Sequence, residues 1–436
     1  MTLEPSRIQK IKARQIIDCR GEPTLEVDVI IDVGLCRSSV SANVTVQQPD
    51  QAQEIRDGDP ALYQGRSVFK AVDIINKVIG LELVKARLDI CQQRQIDEWL
   101  IKNDGTSNKS KFGVNTILGV SATCCKAGAA KKGLPLYRYI AEMAQTYNLQ
   151  LPVPNFTMLC GGRFGPNSLF CQEFGILPTG AESFADAVRM ATDVYQVLKK
   201  KIIEDHKING QLPVNDLGAF VPKLENNTDA LTLLNECIRI AGYEGKIKIA
   251  LDLAASAFFK EGKYNVGFKT DRAELLETEA LRNRYLNYIK AFPMIDSLED
   301  PFARDDKDGW LTLADQDIQV VSDALTAMIR EKITDAFNMK LANALMLRIS
   351  QIGTVTELID YATEARLHNW GCIIGGSPCE TEESFIADLA VGLSVGQFKA
   401  GAPCRSERVA KYNRLMQIEE ELGKDAKYVG SNYRNL

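Results

Sequence analysis

The run Ile318-Gln319-Val320-Val321-Ser322, followed by Asp323, and the run Ala344-Leu345-Met346-Leu347, followed by Arg348, decide how the second half of this chain is read. Each is short, rich in apolar and β-branched residues, and leads into a helix-length segment, as β-strands do. Similar runs are Lys246–Leu251, Pro293–Leu298 and Gly371–Ile374, with helix-length stretches such as Thr354–Leu367 and Thr381–Val395 between runs. This alternation predicts repeated βα units, hence a largely parallel sheet or a barrel. The residues that end the runs are Asp252, Glu299, Asp323, Arg348, Gly375 and Lys399, and from Glu299 onward they stand 24, 25, 27 and 24 residues apart. Polar residues at the carboxyl ends of barrel strands face the mouth, where barrel active sites are built. Three carboxylates there predict an oxygen-rich site suited to a hard ion such as Mg²⁺. Spacing alone does not separate that reading from solvated carboxylates at the starts of loops.

The first part of the chain is less regular. Residues 8–34 read as two extended segments around the turn-prone Arg20-Gly21-Glu22-Pro23, and Thr24–Ile30 alternates as a half-buried strand does. Ser41–Asp59 is polar and reads as a loop; helical patterns cover Ser67–Ile79, Gln93–Asn103 and Asn115–Lys132. Pro152 and Pro154 within Leu149–Asn155 suit a junction. The expected organisation is an α+β domain over 1–148 and a barrel domain over 149–436.

Composition narrows the function. The chain has 436 residues, 45% hydrophobic and 25% charged, with a formal charge of −5. A disordered chain would be poorer in apolar residues. The mild acidity argues against a nucleic-acid or anionic-membrane partner, which needs clustered Lys and Arg. The apolar runs are too short to span a bilayer, and the charged start lacks the apolar core of a signal peptide, so a cytoplasmic address is expected. The 11 cysteines form no C-x-x-C pair, and Cys124-Cys125 lies in an apolar, Ala-rich stretch, so reduced core thiols are expected. There are two histidines, His206 in a charged run and His368 at the end of a helical pattern, both read as ordinary surface or C-terminal-turn residues. A Ser-His-Asp triad, an H-E-x-x-H metal site and a His-centred proton shuttle are therefore not expected. Any chemistry rests on carboxylates, lysine and a hard metal ion.

Longer strings carry a resemblance. They are Ala13–Thr24, Gly119–Tyr137, Leu151-Pro152-Val153-Pro154, Gln172-Glu173-Phe174, Ser297-Leu298-Glu299-Asp300-Pro301-Phe302, Gln351–Glu357 and Gly401–Arg408. Together they resemble enolase, the phosphopyruvate hydratase family, nearly end to end. The resemblance implies an α/β chain: an N-terminal α+β domain followed by a modified TIM-type (β/α)8 barrel, the enolase fold. It also implies a reaction, removal of water from 2-phosphoglycerate, in which a neutral Lys takes a proton, Mg²⁺ stabilises the intermediate and a Glu helps hydroxide leave. Asp252, Glu299 and Asp323 match the family's Mg²⁺ ligands. Lys399 matches the Lys that binds substrate carboxylate. Gln172 and Glu173 match the pair near the reacting hydroxyl.

Other positions depart from the family's pattern. Where the family has its base in Leu-Leu-Leu-Lys-Val-Asn-Gln, this chain reads Leu345-Met346-Leu347-Arg348-Ile349-Ser350-Gln351, so Arg348 replaces the base. A guanidinium does not supply a neutral nitrogen at neutral pH. Leu217 stands where the assisting Glu is expected. In the string matching Ser-His-Arg-Ser, Gly376 replaces a His, Ser377 an Arg and Pro378 a Ser, which removes a bidentate phosphate contact. Phe164 replaces the His of a Gly-Gly-Ser-His lid, and Ser41-Ala42-Asn43-Val44-Thr45-Val46 replaces a glycine-containing mobile loop.

The expectation is therefore an enolase-family protein, a divergent paralogue that has lost or strongly reduced 2-phosphoglycerate dehydration and keeps a binding or structural role. The alternative is an active or weak Mg²⁺-dependent enolase, which the retained Asp252, Glu299, Asp323 and Lys399 favour. The resemblance implies a homodimer, or a heterodimer with another enolase chain. Arg14 and Glu420 match one family ion pair across that interface, and Glu26 is kept from another whose Arg is here Gln417. A small phosphorylated acid is expected to bind weakly at most.

Overall fold

The computed structural model describes residues 6–42, 50–205, 207–208 and 212–435. His206 and positions 43–46 of the loop matched to the family's mobile segment lie outside these residues. The chain divides into two compact units. One holds Met1–Leu149 with Leu347–Glu364 and Gly375–Ser394, the other Gln150–Met346, Ala365–Ile374 and Val395–Leu436.

The first unit opens with an antiparallel meander, β1 (Lys10–Ile17), β2 (Pro23–Ile31) and β3 (Gly34–Ser39). The third strand was not visible in the sequence because Arg37, Ser38 and Ser39 are polar and the strand is short. β2 is buried on both faces rather than half-buried. The helix Val114–Lys132 covers one face, and Gly119 makes the approach possible: a Cβ there would stand 2.7 Å from Val27 Cγ2. The charged position of β2 survives burial by pairing. The Asp28 carboxylate accepts from the Arg37 and Arg14 guanidiniums, which outweigh burial and draw its pKa down to about 2. In the same unit Asp97 is buried and accepts hydrogen bonds from Gln93 Nε2, Ser121 Oγ, Thr356 N and Thr356 Oγ1, at 2.6–3.0 Å.

The second half contributes a closed eight-stranded barrel. Its strands are β4 (Val153–Cys160), β5 (Glu173–Leu177) and β6 (Lys248–Asp252). A small side sheet of β7 (Phe259–Lys260), β8 (Lys263–Asn265) and β9 (Leu275–Leu276) follows. The barrel resumes with β10 (Ile295–Glu299), β11 (Gln319–Ser322), β12 (Ala344–Leu347), β13 (Gly371–Gly375) and β14 (Gln397–Gly401). Around the barrel the order is β10-β11-β12-β13-β14-β4-β5-β6. β5 pairs antiparallel with β4 and with β6, while β6–β10, β10–β11, β11–β12 and β14–β4 are parallel. One strand, β5, is thus reversed among these pairings, the departure from plain βα order that the resemblance implied.

Several boundaries differ from expectation. Asp252 and Glu299 are the last residues of their strands, and Lys399 lies in the middle of β14 rather than after it. The helix expected over Thr381–Val395 runs from Phe385 to Gly392, because the Glu383 carboxylate accepts from the Phe385 N–H and takes up the chain before it. Of the cysteines, Cys124, Cys125, Cys160, Cys171, Cys237, Cys372 and Cys379 are buried. His368 follows the helix Val355–Leu367 and stacks on Phe337 at 4.6 Å between ring centroids. Among the described residues no helix is long and apolar enough to cross a membrane.

Candidate active site

Strand register builds the site. Glu173 is opposite Asp252 across β5–β6, and Asp252 is opposite Glu299 across β6–β10. Because β5 runs backwards, its first residue sits at the same rim as the last residues of β6 and β10. In-register neighbours on adjacent strands stand about 4.8 Å apart, so the three acids form a row on one rim. Lys399, from β14, reaches this row: its Nζ lies 2.7 Å from Glu299 Oε2, 3.2 Å from Asp252 Oδ2 and 3.3 Å from Glu173 Oε1. All four side chains are buried.

Burial, and after it the Glu299 charge, pushes the Asp252 carboxyl well above the usual carboxylate range, with Lys399 acting in the opposite direction. The charge of Asp323, which follows β11, adds to the same effect. Asp300 is raised to about 8 by burial and by its neighbours Asp323 and Asp252. Asp252, Glu299 and Asp323 offer carboxylate oxygens, the hard donors that a divalent Mg²⁺-type ion takes.

Supporting residues went unseen in the sequence. Asp300 accepts from the backbone N–H groups of Asp323 and Ala324, at 2.8–3.1 Å, and so fixes where Asp323 begins. It does so from a left-handed backbone conformation, φ +44°, which is costly for a non-glycine residue and clusters at functional sites. Its place beside Glu299 in Ser297–Phe302 was the available signal. Thr157 Oγ1 donates to Glu173 Oε2 at 2.7 Å, and the period-2 alternation of β4 could have shown it facing inward. Gln172 is fixed by its backbone, its N–H donating to the Asp252 carbonyl at 2.8 Å.

The departing positions form a second pattern. Leu217 is buried in an apolar cluster with Cys160 and Ala219, and Phe164 packs against that cluster. The segment bearing Phe164 is pinned: Lys269 Nζ donates to the Gly162 and Gly165 carbonyls, and Asn215 Nδ2 donates to the Phe164 carbonyl at 3.1 Å. Buried Arg408 holds the other side through the Asp216 carbonyl. Arg348 follows β12 directly, and its Nη1 donates to the Gly376 carbonyl. Ser377 turns its hydroxyl to backbone, donating to the Ala42 carbonyl at 2.6 Å and accepting from the Cys379 N–H at 3.2 Å. Pro378 follows, its carbonyl accepting from the Cys19 thiol at 3.4 Å.

Residues 8–140 match the enolase N-terminal domain, and residues 148–436 match the enolase C-terminal TIM barrel domain. The chain belongs to the enolase family. The reversed β5 and the closed barrel carry the acid row of β5, β6 and β10.

Proposed function

We propose that this enolase-family chain has lost efficient dehydration of 2-phosphoglycerate and serves as a binding or structural member of the family, with an Mg²⁺-competent barrel mouth. The observation that carries the reading is Arg348. The group at the family base's position is a guanidinium whose Nη1 donates to a backbone carbonyl, and a guanidinium keeps its proton at neutral pH. General-base catalysis is typically worth about 10²–10⁴-fold in rate. The other departures point the same way. Leu217 has no proton to give to a leaving hydroxide. Ser377 spends its hydroxyl on backbone groups, and Gly376 has no side chain to offer a phosphate. Phe164 makes the pinned 162–165 segment apolar. Such losses within one catalytic unit do not multiply, so the overall effect is set by the most severe.

Glu173, Asp252, Glu299 and Lys399 remain together, and with Asp323 they would hold the metal. Mg²⁺, when bound there, supplies charge stabilisation for an enolate-like carboxylate. The chain's own part is to exclude water from the acid row and to orient a carboxylate through Lys399. A small phosphorylated acid would bind weakly, without a phosphate clamp. The retained cluster also favours a second reading, a slow Mg²⁺-dependent enolase. A coupled assay at saturating Mg²⁺ decides between them: phosphoenolpyruvate formed at a rate ordinary for enzymes, about 1–10³ s⁻¹, sinks the first reading. An Arg348→Lys variant should gain little alone, because Leu217 and Gly376 bring no polar side chain and the Ser377 hydroxyl is turned to backbone.

Self-association, or pairing with another enolase chain, is part of the same proposal. Arg14 here bonds to Glu26 and Asp28 of its own chain. Ion pairs at a protein surface contribute little individually, so an interface resting on Arg14 and Glu420 is weak. Sedimentation at low micromolar concentration is expected to show dimer; a clean monomer counts against it.

A further inference from the structure

We propose that Asp18, Glu22 and Cys379 form a second, mixed oxygen–sulfur cation site that takes Zn²⁺ or a similar borderline metal. A carboxylate oxygen of Asp18, a carboxylate oxygen of Glu22 and Cys379 Sγ all lie within 4.8 Å of one another. All three residues belong to the first unit, far in sequence but joined by backbone pairing. The β1–β2 turn is closed by the Asp18 N–H on the Glu22 carbonyl at 2.8 Å, which sets the two acids on one side of it. The segment carrying Cys379 is held against that turn by the Cys19 N–H on the Glu380 carbonyl at 2.9 Å, and the Ala42 N–H, after β3, donates to the Cys379 carbonyl at 3.2 Å.

The independent sign of a missing ligand is on Asp18. The residue is only 7% exposed. Oδ1 accepts the N–H groups of Arg20 and Glu22, at 2.8 and 3.0 Å, while Oδ2 is fully buried and has no hydrogen-bond partner. Leaving such an oxygen unsatisfied costs about 1–3 kcal/mol, so a native chain normally supplies a partner, an ion or a water. Cys379 is also buried, and it sits within the fields of both carboxylates. A thiol beside two acids has no packing advantage over an apolar side chain, whereas it is a donor that hard-ion sites do not use.

Two cations already lie nearby. Arg20 Nη1 donates to Cys379 Sγ at 3.5 Å, and Arg66 pairs with Glu22. The first is a weak N–H···S bond on a flexible side chain, and the second engages only Oε2 of the two Glu22 oxygens. Tetrahedral zinc, with Zn–S near 2.3 Å and Zn–O near 2.0 Å, draws such donors to about 3.5 Å apart, a modest contraction. On binding, the Cys379 S–H bond breaks, the proton goes to solvent and a Zn–S bond forms. Glu22 is half-buried and leaves the fourth position open to water. The bound ion would staple the β1–β2 turn to the 376–380 segment, joining positions more than 350 residues apart in sequence.

The test uses the full chain, stripped with chelator and then held in excess Mg²⁺ so that the oxygen-only barrel mouth is occupied. Co²⁺ is titrated as probe, and the thiolate-to-cobalt absorption in the near ultraviolet is followed. The proposal expects a saturable band that Zn²⁺ displaces, that Cys379→Ser abolishes, and whose affinity Asp18→Asn weakens roughly tenfold or more. No band in the unmodified protein, a band that survives Cys379→Ser, or an unchanged affinity in Asp18→Asn overturns it. If either variant is unfolded by circular dichroism before metal is added, Glu22→Gln replaces it. A weaker affinity there supports the site, and an unchanged one overturns it.

Discussion

Lys399 Nζ stands 2.7 Å from Glu299 Oε2, and the same ammonium is the shared cation of Asp252 and Glu173. Three buried acids from three adjacent strands therefore share one lysine from β14.

Removing that lysine is expected to be severe. Breaking a buried pair from one side leaves uncompensated charge and costs about 3–5 kcal/mol. Lys399→Met should lower the urea midpoint accordingly, and millimolar Mg²⁺ should restore part of the loss, because a divalent ion supplies the missing charge. Equal loss with and without Mg²⁺ would show that the acids do not share an ion.

Leu217→Glu places a carboxyl in the apolar cluster of Cys160 and Ala219. Burial raises its folded-state pKa above an unfolded value near 4.3. The folded chain then keeps a proton that the unfolded chain loses, so stability falls as pH rises from about 4 towards neutrality. Denaturation at pH 5 and pH 8 should show a larger deficit at pH 8, of about 1–3 kcal/mol.

Asp97 offers a titration far from the barrel mouth. Burial outweighs the donors Ser121, Thr356 and Gln93 and pushes its carboxyl from 3.8 up to about 6. Between those values the folded state binds the extra proton, so the contribution of Asp97 declines as pH rises through that window, by about 3 kcal/mol in total. The stability difference between the unmodified chain and Asp97→Asn should shrink over pH 4–6 and stay flat above it. Urea melts at half-unit intervals measure this; a constant difference would contradict the burial argument.

Lys269 pins the segment that carries Phe164 through the carbonyls of Gly162 and Gly165. Lys269→Ala should release it at a cost of about 1–2 kcal/mol. Hydrogen exchange by mass spectrometry should speed up in residues 161–169 and leave β10–β14 unchanged. Uniform acceleration would mean a global rather than local effect.

The repeat that ends in Glu299, Asp323 and Arg348 was legible because strand-plus-helix units recur at nearly constant length. Each unit is a local pattern of apolar side chains. The third strand of the meander was not legible, since its polar residues are placed by pairing with β2 rather than by their own preference. Thr157 and Asp300 escaped notice for a related reason: what they do is donate to, or accept from, groups that other strands deliver.

By itself the sequence determined which side chains exist at each position: an arginine instead of a lysine at 348, a leucine at 217, a serine at 377, and enough β-rich runs to close a barrel. Only the tertiary structure decided which of them meet. The reversal of β5 aligns Glu173 with Asp252 and Glu299, and the barrel's closure carries Lys399 to all three. The backbone pairing of Cys19 with Glu380 carries Cys379 to Asp18. Register and closure are long-range properties, set by hydrogen bonds between strands distant in the chain, and no local pattern of residues encodes them.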